Sequence, residues 1–191
     1  MNLRSQTILL QPIGKVKGDI LKSLQHDLTG IFSPWGFNFE QAQNSLPVKE
    51  SEYNHERDQY NASLILRRVM KNIQKNDLLR VLGIIDEDIF SGNLNFVFGI
   101  AQIPKFRNLD ALFGCLISIT RLRREFYGRQ ANIKLFKERT LKEAMHELGH
   151  TFGLKHCHNV CVMRFSNSLQ ETDDKPSNFC KECQKQIESH F

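Results

Sequence analysis

The chain has 191 residues, 26 basic and 21 acidic, for a formal charge of +5; 40% of them are hydrophobic and 25% charged. That balance is enough for a buried core and excludes wholesale disorder. The longest unbroken apolar run, Ala111–Ile117, has seven residues, against the roughly 18–20 of a membrane helix, so a transmembrane helix is excluded.

In chain order, residues 6–12 are apolar, β-prone and followed by Gly14, and predict a first strand. Val16, Ile20, Leu24, Leu28 and Ile31 recur at helical spacing and predict an amphipathic helix over about 16–32, ended by Pro34. Gly36–Phe39 predicts a short second strand, and Ala62, Ile65, Val69, Met70 and Ile73 a helix over about 55–75. Three further strands are expected at Leu79–Ile85, Asn95–Gln102 and Leu112–Thr120, with turn residues Asp86–Gly92 between the first two. A third helix is expected from about Glu138 to Phe152, stopped by Gly153. Residues 154–191 carry no long periodic segment. The fold class is therefore mixed α/β with a cysteine-bearing C-terminal part.

The strongest chemical signal is His146-Glu147-Leu148-Gly149-His150. On a helix, positions i and i+4 share a face, so two imidazoles reach one Zn²⁺. Glu147 is offset from that face and is placed to take a proton from metal-bound water. Gly153 and His156 extend the pattern to His-Glu-x-x-His-x-x-Gly-x-x-His. A third ligand at His156 requires the helix to end and the chain to turn back, which a glycine with positive φ allows. Three imidazoles leave a coordination position open, as in catalytic zinc sites. Gly149 is read as permitting a close approach to the helix, and Thr151 and Phe152 as packing residues.

Five cysteines are present, four of them (Cys157, Cys161, Cys180 and Cys183) in the last 35 residues. The opening Met1-Asn2-Leu3-Arg4-Ser5-Gln6 lacks the pattern of a secretory signal, so a cytoplasmic address is expected, and clustered cysteines there suggest metal rather than disulfides. Two cysteine pairs suit a closed tetrahedral thiolate site that fastens a tail too small for its own core. Free buried thiols and a redox C-x-x-C are the other readings. Cys115, in an apolar strand, is expected in the core, and His158, His26, His55 and His190 at surface or satisfied polar positions. Arg121, Arg123, Arg124 and Arg129 lie among acidic neighbours without an aromatic-basic motif, so neither nucleic acid nor a membrane is an expected partner.

The stretch from His146 to Cys157, then Cys161-Val162-Met163, then Cys180-x-x-Cys183, resembles the archaemetzincins, a branch of the metzincin zinc peptidases. Phe165-Ser166-Asn167-Ser168, Ser118–Leu122 and Glu125-Phe126-Tyr127-Gly128 are similar to that family too. The resemblance implies one catalytic zinc on His146, His150 and His156 and one structural zinc on Cys157, Cys161, Cys180 and Cys183. It also implies a supporting methionine, Met163, on a tight turn beneath the histidines. A twisted mixed sheet flanked by helices is implied as well, with an edge strand above the cleft where a peptide pairs by backbone hydrogen bonds; Leu112–Thr120 is the candidate edge. The chain departs from the family pattern in having only three residues, His158-Asn159-Val160, between Cys157 and Cys161.

The expected protein is thus a monomeric zinc metallopeptidase acting on peptides or proteins, with Glu147 as general base and acid. Residues 1–153 would form the subdomain ending in the active-site helix. Residues 154–191 would form a zinc-stapled subdomain with the third histidine and Met163. The alternatives are a zinc-stabilised peptide-binding protein with little hydrolysis, and a redox or zinc-buffer protein.

Overall fold

In the computed structural model the described residues are 6–73, 78, 80–104 and 111–189. The expected helix end at residues 74–75, the strand start at Leu79 and the placement of His190 lie outside them. Strand β1, Thr7–Ile13, is apolar and β-branched, as suits a strand covered on both faces. Helix α1, Gly18–Phe32, buries Ile20, Leu24 and Leu28 along one stripe. Pro34 sits in the short turn that stops it, and Gly36 at φ 80° redirects the chain into β2, Asn38–Gln41.

The next helix starts later than its apolar spacing suggests. Residues 53–61 instead form β3 (Tyr53–Asn54) and β4 (Gln59–Asn61). The Asn61 side chain accepts the Ser63 and Leu64 N–H groups, so α2 begins at Ala62 and is described to Ile73. Strands β5 (Arg80–Ile85), β6 (Ile89–Phe90), β7 (Gly99–Ala101) and β8 (Phe113–Ser118) follow. Helix α3, Ile133–Thr151, starts five residues before the expected Glu138, because Asn132 caps it by accepting the Leu135 N–H. Two short helices complete the chain, α4 (Leu169–Asp174) and α5 (Lys181–Glu188). Ser168 and Glu171 form a capping box on α4, a signal present in the sequence but too local for a periodicity search.

The main sheet has strand order β2-β1-β5-β8-β7. All neighbours are parallel except β7, which is antiparallel to β8. Strands β3, β4 and β6 make a small separate sheet. Alternation along β5 sorts the two cores: Leu82 and Ile84 face α1 and α3, whereas Val81 and Ile85 face α2. Phe179 and Ile187 of the tail join the α1–α3 core, so the tail shares the main core rather than building its own.

One expectation is corrected. Leu112–Thr120 does not supply the edge strand: β8 lies inside the sheet, paired to β5 on one side and β7 on the other. The edge is β7. An uninterrupted apolar segment gains most where both faces and both flanks are covered, so the most apolar strand is drawn inward.

Leu28 is fully buried between α1 and the core it shares with α3. Leu28→Ala is expected to lower unfolding stability by about 2–5 kcal/mol, measurable as a lower urea midpoint with an unchanged slope.

Candidate active site

From Phe136 onward α3 is buried on most of its circumference, with His146, Glu147 and His150 among the enclosed residues. The helix ends at Thr151, and Gly153 takes φ 83°. This turns the chain so that Leu154 drops into the core and His156 comes back towards the helix. His146, His150 and His156 then stand together, their ring centres 4.7–5.4 Å apart. Each offers one nitrogen to a common point, all within 4.8 Å of one another.

Two backbone carbonyls orient the first two rings. His146 Nδ1–H donates to the Val162 carbonyl at 3.0 Å and His150 Nδ1–H to the Leu154 carbonyl at 2.7 Å. Pinning the protons on Nδ1 leaves both Nε2 lone pairs directed inward. Those Nε2 atoms are 3.2 Å apart, close to the edge of about 3.3 Å that a tetrahedron with Zn–N bonds of about 2.0–2.1 Å would have. Burial, reinforced by the Lys175 charge and the other histidines, pulls the His146 pKa down to about 2. Burial also lowers His150 and His156. These shifts all favour the neutral imidazole, the form that binds metal. The donor set fits a catalytic zinc.

Glu147 lies beside them in the same cleft, whose volume is about 490 Å³. Burial and the neighbouring Glu143 push its carboxyl up, and Lys175 opposes that. Among the described residues no hydrogen bond or ion pair holds this carboxylate. Its space is bounded instead by Gly99 of β7, where an added Cβ would lie 2.6 Å from Glu147 Cγ and 2.8 Å from its Oε1. Gly149 has the matching role on the other side of the helix. A Cβ there would meet Met163 Sδ at 2.4 Å, so the close approach expected at Gly149 is that of Met163, fully buried under the histidines' helix.

The four late cysteines also converge. Cys157 and Cys180 Sγ are 3.8 Å apart and Cys161 and Cys183 Sγ 3.7 Å. These separations are far from a disulfide and match the edge of about 3.7 Å in a tetrahedral thiolate zinc site. Cys161 Sγ accepts the Cys180 N–H at 3.2 Å and the Met163 N–H at 3.5 Å. Burial acts to raise the Cys180 thiol, but hydrogen bonds from the Cys183 backbone, Asn159 and the neighbouring thiols bring it down to about 7. Across the short Cys157–Cys161 loop, the Cys157 N–H bonds to the Met163 carbonyl at 3.0 Å. His158 is exposed and outside both groups, and Cys115 is buried in the core.

Sequence reasoning missed a polar strap beside the cleft. Arg139 makes two bonds of 2.6 Å to Asp173, and Lys142 donates to the Asp173 carbonyl at 2.9 Å. Glu143 pairs with Lys175 at 2.9 Å and accepts from Thr172 at 3.2 Å. The partners lie 29–34 residues apart, so no local pattern announces them. The available signal was three charged residues, at 139, 142 and 143, on the helix that carries the first two histidines.

The sequence profile described as peptidase family M54 matches residues 40–189. The archaemetzincin of Pyrococcus abyssi is 41% identical over 187 residues, covering 96% of this chain and 95% of that protein. Solved crystal structures are similar too, two archaemetzincins among them. Archaemetzincin from Archaeoglobus fulgidus, solved in complex with malonate, has a TM-score of 0.76 and 35% identity, with 94% of this chain and 99% of that one covered. Archaemetzincin from Methanopyrus kandleri has a TM-score of 0.78 and 29% identity, with 100% and 97% covered.

Gly99→Ala is expected to displace Glu147 and cut kcat/KM by about 100-fold. Zinc content by elemental analysis should be unchanged, since no metal-binding candidate touches Gly99.

Proposed function

This chain belongs to peptidase family M54, the family of the archaemetzincins, and is a zinc metallopeptidase; on that premise we propose that His146, His150 and His156 hold its catalytic zinc and Glu147 moves the proton. Bound there, zinc supplies Lewis acidity, polarising the scissile carbonyl and acidifying the attacking water. The Glu147 carboxylate accepts the proton released by that water and returns it to the nitrogen of the leaving amine. The observation that carries this reading is the pair of Nδ1–carbonyl bonds that presents two Nε2 atoms 3.2 Å apart beside Glu147. Edge strand β7 receives the peptide as an added strand, placing its backbone over Glu147 through the opening left by Gly99.

A second, structural zinc on Cys157, Cys161, Cys180 and Cys183 is part of the same proposal, supported by the thiol spacings. So is a division into a subdomain of residues 1–153 and a zinc-stapled subdomain of residues 154–191. Gly153 and Met163 act as supports rather than reactants. We further propose a cytoplasmic monomer without nucleic-acid or membrane partners. Arg121 and Arg123 spend their charge internally on Asp88 and Asp86, and no helix among the described residues is long and apolar enough to cross a membrane. The peptide-binding alternative is not favoured, since a pure binder has no use for Glu147 beside the histidines. The redox reading is weakened by four thiols converging on one point rather than a single reactive pair.

Glu147→Ala is expected to lower peptide hydrolysis by about 10²–10⁴-fold while two zinc ions remain bound; persisting activity would remove Glu147 from the mechanism. Cys180→Ser is expected to take zinc stoichiometry from two to about one and to lower thermal stability. A wild-type protein holding a single zinc would count against the second site.

A further inference from the structure

The two faces of β7 look onto different surroundings. Ala101 packs with the α1–α3 core and Gly99 abuts Glu147, whereas Ile100 packs with the α2 core. On the α2 side lies a second groove, about 610 Å³, that shares Ser91, Ile100 and Ala101 with the active-site cleft. Its outer wall is the exposed face of α2, carrying Arg67 and Lys71, and Gln102 continues it beyond the strand. Arg67 and Lys71 are one helical turn apart, so like charges stand side by side at some cost to the helix. Among the described residues neither has an acidic partner within ion-pair distance. Arg68, on the next position round the helix, is by contrast paired to Glu52.

A peptide added to β7 is itself a strand, and its side chains must alternate between the two faces of the extended sheet. One set enters the cleft with the histidines and Glu147; the other set enters the α2 groove. We propose that the α2 groove is an extended substrate subsite in which Arg67 and Lys71 receive the carboxylates of Asp or Glu side chains. The peptidase thereby favours acidic residues at every second position of the bound segment. This rests on the reading of β7 as the strand that receives substrate. Because both cations are exposed, each contact is modest and sensitive to salt, which suits tuning of substrate choice rather than absolute exclusion.

The test uses zinc-loaded Glu147→Ala protein and a set of fluorescent peptides sharing one neutral parent, with Glu or Lys placed at each position in turn. Affinity is read by anisotropy. Glu is expected to bind about 5–20-fold tighter than Lys at alternate positions and equally at those between. The ratio should shrink towards one at 0.5 M salt, and it should reverse in protein also carrying Arg67→Glu and Lys71→Glu. Both residues are surface-exposed, and a thermal melt checks that the variant is folded. A charge preference that is uniform along the peptide, falls at consecutive positions, or survives the double substitution overturns the subsite. Failure of every peptide to bind overturns the strand-addition reading itself.

Discussion

The reversal of the chain at Gly153 is the constraint on which the site depends. Because the helix stops there and the backbone turns left-handed, a single short segment serves three purposes. Leu154 supplies the carbonyl that orients His150, His156 becomes the third imidazole, and Cys157 enters the thiol cluster. Eight residues on from Leu154, Val162 supplies the carbonyl that orients His146. The tail therefore does not merely follow the active-site helix. It provides the groups that orient that helix's own histidines, so the helix without the tail would have the right residues in undetermined tautomers.

Each of the two histidine-orienting carbonyls needs its own support. Leu154 and Val162 are anchored because both are buried in the core shared by α1 and α3. The polar strap from Arg139, Lys142 and Glu143 to α4 then ties the next stretch of tail to the same helix. Met163, fitted against Gly149, fills the space between these attachments. Hydrophobic burial brings the segments together, while the carbonyl and carboxylate contacts select one arrangement among those that burial alone would allow.

Much of this was legible in the sequence, for identifiable reasons. The histidine and cysteine groups could be read because metal chemistry imposes both residue type and spacing. The helix over residues 18–32 could be read because its apolar stripe has a single period. The start of α2 was misjudged since Asn61 caps it from within a strand, and the start of α3 since its first turn is exposed and lacks the buried pattern. The edge strand was misassigned because apolarity reports how thoroughly a strand is covered, and the covered strand is the inner one. Gly99 went unnoticed: a glycine's reason for being there is a neighbour's side chain, and the neighbour here is 48 positions away in the chain. The Glu143–Lys175 pair escaped for the same reason.

The sheet edge proposed to receive the peptide is also an edge that another copy of the chain could use, which makes it a liability for self-association. The dimensions of this edge limit that hazard. Strand β7 has only three residues, one of them glycine, and β2 at the opposite end has four, with Asn38 and Glu40 exposed. The long apolar strands β1, β5 and β8 are all interior. The sheet thus keeps its aggregation-prone segments walled in and offers outward only a ladder too short to template a growing stack.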